Sequence, residues 1–304
     1  RGEGERIPGR ERAPGTDSDA RPSVPSPMKV VCLGARGSSP SPGDEFREVG
    51  GHTCCVAIAP DGGPCELVLD AGTGIRGLAT LLDGAPFRGT IVLTHLHWDH
   101  VIGLPFSAPL MDPGARVRLL VPADGDPASL LERMISPPFF PVTLDHLPGD
   151  WSIEALTEGV IGLGPFDVTA LEIPHGGGTT FGLRVDDGAA GLAYLPDHDP
   201  RIAGPGPGGL GAPSGGAIAL AQDVDLLVHD AHWAAAEIDG RPTAGHASAE
   251  FALALARAAH AHRLWLFHHH PDRTDGAVRA LAAALDPTGV ETTIARSGLE
   301  ITLP

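Results

Sequence analysis

The stretch Ile91-Val-Leu-Thr-His95-Leu-His97-Trp-Asp99-His100 joins a short apolar run to a dense group of imidazole and carboxylate side chains. Four other apolar runs also stop at a His or an Asp: residues 67–70, 171–175, 192–197 and 264–268. Runs of this length are typical of buried strands rather than helices. Because side chains at the ends of several strands can meet at one sheet edge, the pattern predicts a metal site that the fold assembles.

The spacing within the cluster favours two metal ions. His95 and His97 are two residues apart, so in extended backbone both side chains point to one side. A zinc pair on a helix would need four-residue spacing instead. Asp99 and His100 follow where the chain turns, and they offer two further ligands at a slightly different place. Imidazole and carboxylate without thiolate suit zinc, with manganese or iron as substitutes.

Overall composition excludes several classes of function. The chain has 304 residues, 42% of them apolar, and a formal net charge of −17. That charge disfavours a polyanionic partner held by bulk electrostatics, since basic side chains must neutralise its phosphates. No run approaches the roughly 18 apolar residues of a membrane span, and no apolar signal core is evident. We therefore expect a cytoplasmic protein with no membrane partner.

Four cysteines, at positions 32, 54, 55 and 65, show no CxxC spacing. Adjacent Cys54 and Cys55 point to opposite faces in a strand, so buried free thiols are expected and a sulfur-ligated metal is disfavoured.

The chain divides into a leader and one folded unit. Residues 1–27 are rich in Arg, Glu, Gly and Pro, a composition that predicts a disordered leader. Residues 28–304 are expected to form a single folded domain. Helices are predicted at 74–82, 101–111, 127–136, 247–261 and 276–285, and a flexible loop at 201–216. An α+β sandwich of two sheets flanked by helices fits best, although a single parallel sheet stays open at this point.

The ordered motifs resemble the metallo-β-lactamase superfamily, whose αββα fold is then expected. Asp70, the cluster at 95–100, His175, Asp197 and His268 match its five motifs in order. The resemblance implies two metal groups bridged by Asp197: His95, His97 and His175 in one, and Asp99, His100 and His268 in the other. It also places Asp70 behind the ligands, where it would orient them by hydrogen bonds.

Further stretches resemble the RNase Z-like branch of that superfamily. Leu226-Leu-Val-His-Asp230-Ala is similar to its HEAT-like stretch, with Asp230 where Glu is usual. Gly245-His-Ala-Ser-Ala-Glu250 is similar to the loop that supplies a catalytic histidine. The resemblance implies that His246 and Asp99 are catalytic and that His229 and Asp230 support the ligands. A buried polar pair at 229–230 is the plain alternative.

Two assignments depend on weaker signals. Three consecutive histidines follow the last apolar run, and alternation along a strand would let His268 and His270 face one way and His269 the other. His268 is chosen because it directly follows the run. Arg36 is a candidate anion contact after the first predicted strand.

The chemistry expected of this site is hydrolysis by a hydroxide shared between two zinc ions. A small or short phosphodiester, cyclic ones included, is the favoured substrate. Long RNA is disfavoured because the chain is acidic and only residues 176–196 separate His175 from Asp197, too few for a basic RNA-gripping arm. A thioester or lactone hydrolase similar to glyoxalase II is one alternative, and an iron-binding redox protein is another. Related folds often dimerise, so a homodimer is left open.

Overall fold

The computed structural model describes residues 27–123, 125–238 and 244–304. The predicted leader at 1–27 lies outside this range except for Pro27. Fourteen strands are present in the described chain: β1 (Met28–Gly34), β2 (Cys55–Pro60), β3 (Leu67–Leu69), β4 (Arg88–Val92), β5 (Arg116–Pro122), β6 (Asp150–Leu156), β7 (Gly159–Leu163), β8 (Phe166–Glu172), β9 (Phe181–Asp186), β10 (Gly191–Leu195), β11 (Leu226–Asp230), β12 (Arg263–Phe267), β13 (Glu291–Ile294) and β14 (Glu300–Thr302).

The strands form two seven-stranded sheets built on the same plan. The first has the order β14-β1-β2-β3-β4-β5-β6 and the second β13-β12-β11-β10-β9-β8-β7. In the first sheet the pairings from β14 to β3 are antiparallel and those from β3 to β6 are parallel. The second sheet repeats this, with antiparallel pairings from β7 to β10 and parallel ones from β10 to β13.

Helices cover the outer faces of both sheets. They are α1 (Leu78–Leu81), α2 (Trp98–Val101), α3 (Pro127–Glu132), α4 (Gly215–Ala221), α5 (Ala249–Ala258) and α6 (Asp275–Ala284). Short 3₁₀ helices occupy Asp44–Phe46, Thr73–Gly77, Leu104–Phe106, Leu144–His146, Pro207–Gly209 and Ala235–Glu237. Within the described residues, no helix is both long enough and apolar enough to cross a bilayer.

Three apolar clusters lie between the four layers of the fold, which are helices, sheet, sheet and helices. The central cluster joins inward-facing residues of the two sheets, such as Val30 and Ile58 against Val168 and Val228. A second cluster packs α4 and α5 on one outer face, and a third packs α1 and α3 on the other. Strand residues alternate between the inner and outer clusters because successive side chains point to opposite faces. The predicted αββα sandwich is confirmed.

The helix predicted at 101–111 is wrong. The chain forms only the single turn of α2 and then the 3₁₀ turn Leu104–Phe106. The Gly103 N–H donates to the Ala71 carbonyl at 2.9 Å instead of to the carbonyl of residue 99, so the helical ladder stops here. Pro105 also lacks the N–H that would continue the ladder.

Other predicted helices exist with different bounds. Asp126 caps α3 as expected, accepting from the Ser129 N–H at 3.1 Å, but α3 ends at Glu132 rather than near 136. The stretch 201–216 is not all loop, since it contains a 3₁₀ turn and the start of α4, capped by Ser214. Both shifts fall at element ends, where pattern is least informative.

Arg36 is an internal structural cation and not the anion contact that its position suggested. Its side chain is fully buried, and its guanidinium donates to the Gly50 carbonyl at 2.9 Å, the Arg273 carbonyl at 2.6 Å and the Asp275 carboxylate at 3.0 Å. Asp275 also accepts from the backbone N–H groups of Glu48 and Val49. The pair ties the end of β1 to the start of α6.

We therefore expect Arg36→Met to lower the free energy of unfolding by about 3–5 kcal/mol, because it leaves Asp275 as a buried charge without its cation. Urea unfolding measures the loss. Arg118→Met, which breaks the half-exposed pair with Glu154, is the matched control and should cost less than about 1 kcal/mol. Equal losses in the two variants would contradict a structural role for Arg36.

Candidate metal centre

The predicted ligands lie where strands of both sheets end. Asp70 follows β3, His95 follows β4, His175 follows β8, Asp197 follows β10 and His268 follows β12. Asp70 and His268 have φ angles of +60° and +55°, a left-handed conformation that turns the chain sharply at the strand end. The five strand ends thus deliver their polar side chains to one edge of the sandwich.

Two groups of ligand-capable atoms form at this edge. His95, His97, His175 and Asp197 make one, and Asp99, His100 and His268 make the other together with Cys54. Within each group the ligand atoms lie within 4.8 Å of one another. The structure therefore brings together all seven residues expected to bind metal.

Asp197 stands between the two groups. Its Oδ2 lies 3.4 Å from His95 Nε2 and 3.3 Å from His175 Nε2. Its Oδ1 lies 3.2 Å from His100 Nε2 and 3.0 Å from His268 Nε2. Each carboxylate oxygen faces a different pair of imidazoles, and the residue is almost completely buried. One carboxylate therefore contacts both groups of ligand-capable residues.

Asp70 holds His100 from behind. Its Oδ2 lies 2.7 Å from His100 Nδ1, so the Nε2 atom of that ring points into the site. The Asp70 carboxylate also accepts from the backbone and hydroxyl of Thr94 and from the hydroxyl of Tyr194, which fix its position. Such partners set the orientation of an imidazole ligand.

His175 is oriented by the loop between β11 and α5. Its Nδ1 lies 2.7 Å from the Gly245 carbonyl oxygen, which leaves Nε2 directed toward the cluster. On the opposite side, a Cβ at Gly37 would lie 2.3 Å from the His268 ring, and the Ser38 N–H donates to Asp99 at 2.7 Å. The loop after β1 therefore closes tightly over the second group.

The donor set fits divalent cations. Three buried atoms that point into the site, His95 Nε2, His100 Nε2 and Asp197 Oδ1, lie within 3.4 Å of one another's side chains, yet none has a partner in hydrogen-bonding geometry among the described residues. Buried polar atoms are nearly always partnered, so a converging unpartnered set calls for an ion. Nitrogen and carboxylate donors of this kind match zinc and its first-row neighbours.

The electrostatics of the site favour cations. Burial raises the pKa of the Asp99 carboxyl, but His100 and His268 outweigh it and hold that pKa below its usual range. Burial lowers the pKa of His268, yet the neighbouring Asp197 carboxylate helps to raise it well above its ordinary value. For His95 burial dominates and lowers the pKa to about 4, so this imidazole is neutral and able to coordinate at pH 7.

The structure distinguishes the three consecutive histidines. His268 Nε2 lies 3.1 Å from Asp99 and 3.0 Å from Asp197. The ring of His269 is turned into the protein, where Nε2 lies 3.0 Å from the Ala295 carbonyl oxygen. His270 lies instead against His232 and Trp233. Only His268 of the three belongs to the seven-residue set.

His246 and Asp230 form a pair beside the ligands. His246 Nδ1 lies 3.0 Å from Asp230 Oδ2, and the His246 ring lies 5.3 Å from that of His175. The same carboxylate accepts from the backbone of His198, His232 and Ala247, which holds it rigidly.

His229 is placed differently from the expectation that grouped it with Asp230. Its side chain lies 3.1 Å from His198 and 2.8 Å from the backbone carbonyl of Asp230. Neither contact is a side chain of the seven-residue set. The plain alternative of a buried polar residue closing a strand describes His229 better than it describes Asp230.

Two nearby residues were not among the predicted site residues. The buried thiol of Cys54 lies among Asp99, His100 and His268, although its cysteine spacing argued against a sulfur ligand. His232 forms a further group with His246 and His268, and its ring stacks on His246 at 4.3 Å. The signal for His232 was its place two residues after Asp230, on the same strand-end turn.

The two stacked sheets, with ligand residues at their strand ends, place the protein in the class of αββα metallo-hydrolases. The model of the beta-lactamase superfamily domain matches residues 66–269, and the chain belongs to that superfamily. The predicted class, a metallo-hydrolase related to ribonuclease Z, is confirmed.

Among known proteins, ribonuclease Z of Haloarcula marismortui is 24% identical over 326 residues, covering 90% of this chain and 96% of the relative. The structure of the metallo-beta-lactamase fold protein YhfI from Bacillus subtilis superimposes with a TM-score of 0.65 at 21% identity, covering 91% of this chain and 99% of YhfI. A diphosphatase from the PhnP family gives a TM-score of 0.66 at 20% identity, over 90% and 97% of the two chains. The two structural likenesses show a shared fold.

The buried His269 generates a pH prediction. Burial lowers its pKa from 6.5 to about 3, so between these values the unfolded chain binds one more proton at this residue than the folded chain. Stability conferred through His269 is therefore lost as the pH falls from 6.5 toward 3, by up to about 1.4 kcal/mol per pH unit.

Replacement His269→Gln should flatten the pH dependence of unfolding by up to this slope between pH 6 and pH 4. Urea unfolding at pH 7, 6, 5 and 4 measures it in both proteins. Parallel curves for the variant and the parent would show that the pKa of His269 is not lowered in the folded protein, which contradicts the prediction.

Proposed function

We propose that this protein is a metal-dependent phosphodiesterase with two divalent ions at the sheet edge. In the proposal His95, His97 and His175 hold one ion, Asp99, His100 and His268 hold the other, and Asp197 bridges them. The observation that carries it is the placement of the two Asp197 oxygens, each 3.0–3.4 Å from a different pair of imidazoles.

The similarity to a ribonuclease and a diphosphatase supports a phosphorus ester as the substrate. When bound, two such ions supply a nucleophile at neutral pH and neutralise charge on the phosphoryl oxygens. Zinc is the proposed metal because the set combines imidazole with carboxylate. The cavity above the ligands has a volume of about 730 Å³ and is lined in part by His97, His175, His246 and Trp98, which is ample for a small diester.

His246 is proposed as the proton donor to the leaving group. Asp230 lies at its Nδ1, so Nδ1–H donates to this carboxylate and Nε2 is the atom left to face the cavity. With Nδ1 held by Asp230, Nε2 is placed to pass a proton to a departing alkoxide. His246 is only 6% exposed, so the donor is shielded from bulk water.

A small or short diester, cyclic ones included, is the proposed substrate. The segment between His175 and Asp197 consists of β9, β10 and their short connections, and it runs within the second sheet. It therefore supplies no projecting basic arm. With a net charge of −17, the chain also repels a long polyanion.

The direct test is metal content and turnover together. Protein loaded with Zn²⁺ should hold two ions per chain and hydrolyse bis(p-nitrophenyl) phosphate, and chelation should abolish turnover. Asp197→Asn should lose metal and more than about 100-fold in activity, since even a partner behind a ligand is worth about 10- to 100-fold.

His262→Gln, which changes an exposed histidine remote from the cluster, serves as the control and should retain both properties. Absence of bound metal, or faster turnover of thioesters and lactones than of diesters, would refute the phosphodiesterase. Cleavage of long unstructured RNA without cleavage of small diesters would refute the proposed substrate size.

The role of His246 is tested by the leaving group. His246→Ala should lower kcat by about 100-fold or more for a diester with an alkyl leaving group, because an alkoxide needs a proton as it departs. A p-nitrophenolate leaves without protonation, so its release should fall far less. Steady-state kinetics on both diesters checks this, and equal losses would assign His246 a purely structural role.

A further inference from the structure

An apolar cavity of about 590 Å³ lies next to the metal centre, and none of the seven ligand-capable residues lines it. Its wall includes Trp98, Ile102, Phe106, Met134 and Phe139. Trp98 is 72% exposed, Phe106 58% and Phe139 81%, which is unusual for large apolar side chains gathered in one place. Contiguous exposed apolar surface of this kind marks a binding site.

The cavity adjoins the metal centre on two sides. Leu96 and Trp98 line both this cavity and the cavity above the ligands. Leu96, Leu130 and Arg133 also line a smaller cavity of about 330 Å³ whose wall contains His95 and His97. Since Trp98 is the residue between His97 and Asp99, the ligand motif itself forms the boundary between the polar and apolar spaces.

The shape and chemistry of the cavity wall indicate which ligand group it would bind. Phe106 and Phe140 meet edge to face, with ring centres 5.9 Å apart, so this part of the wall is braced. Of the described residues that line the cavity, Arg133 alone is charged, and no ion pair joins it to another described residue. Aromatic side chains with one guanidinium favour a flat aromatic ring, which stacks on both.

A diester carries two organic groups, and the proposed reaction uses only one of them as the leaving group. If the leaving group departs toward His246, the second group must lie elsewhere in the opening. We propose that this cavity binds a planar aromatic group on the retained side of the phosphodiester. The inference rests on the proposed function and makes the substrate an aryl-bearing diester.

The test compares two diesters that release the same p-nitrophenolate, methyl p-nitrophenyl phosphate and (2-naphthyl)methyl p-nitrophenyl phosphate. The zinc-loaded protein should prefer the naphthylmethyl ester in kcat/KM by at least about tenfold, the scale of ring stacking. Phe106→Ala and Phe139→Ala should each lower that preference about three- to tenfold, mainly through KM.

Two controls separate the cavity from general damage. Phe106→Tyr keeps the ring and should keep the preference. Val160→Ala changes an exposed apolar residue on β7, outside the cavity, and should leave the preference within twofold of the parent value. Equal preference in every protein, or an equal loss on both diesters, would overturn the assignment.

A binding measurement separates this inference from the proposed function. Quenching of tryptophan fluorescence by (2-naphthyl)methyl phosphate gives a Kd that needs no turnover. If no diester is hydrolysed but this Kd rises in Phe106→Ala, the phosphodiesterase fails and the aromatic cavity stands. If diesters are hydrolysed but Phe106→Ala has the same Kd as the parent protein, the cavity proposal fails. It also fails if the aromatic wall instead mediates a concentration-dependent dimer.

Discussion

The buried carboxylate of Asp197, placed between two pairs of imidazoles, is the constraint on which the rest of the site depends. An isolated buried charge costs several kcal/mol, so it is retained only where cationic partners offset that cost. Here both oxygens face ring nitrogens, and the surrounding side chains of His100, His175 and Asp99 are held by Asp70, the Gly245 carbonyl and the Ser38 N–H. Loss of any of these supports would leave polar atoms buried without partners, so the site and the local fold are stable together.

The repeated plan of the two sheets explains how distant residues meet. Each sheet changes from antiparallel to parallel pairing part of the way across, and parallel strands end at the same edge. His95 from one sheet and His268 from the other thereby arrive on the same carboxylate. The apolar layer between the sheets fixes their separation, because a close-packed interior has low compressibility.

The sequence pattern predicted the structure correctly where local chemistry decides the conformation. It failed where contacts between distant segments decide it. The apolar runs became β3, β4, β8, β10 and β12 because short buried runs have few other stable forms. The stretch 101–111 shows a helical pattern, yet the Gly103 N–H donates to the distant Ala71 carbonyl, which ends the helical ladder. Arg36 looked available to an anion because its partner Asp275 is 239 positions away in the chain. His232 and Cys54 were missed for the same reason, since their neighbours come from other loops.

The order and type of the ligand-bearing runs were determined by the sequence alone, because they follow from short apolar runs and from motifs confined to a few residues. The superfamily and its αββα fold were predicted from the resemblance that those motifs carry, since the pattern of runs by itself left a single parallel sheet open. Which of His268, His269 and His270 turns toward the site was decided by the tertiary structure, since a left-handed residue at the end of β12 and the Ala295 carbonyl set the three rings apart. The aromatic cavity beside Trp98 was likewise beyond the sequence. Its wall is assembled from segments that share no local pattern, and only packing brings their side chains to one surface.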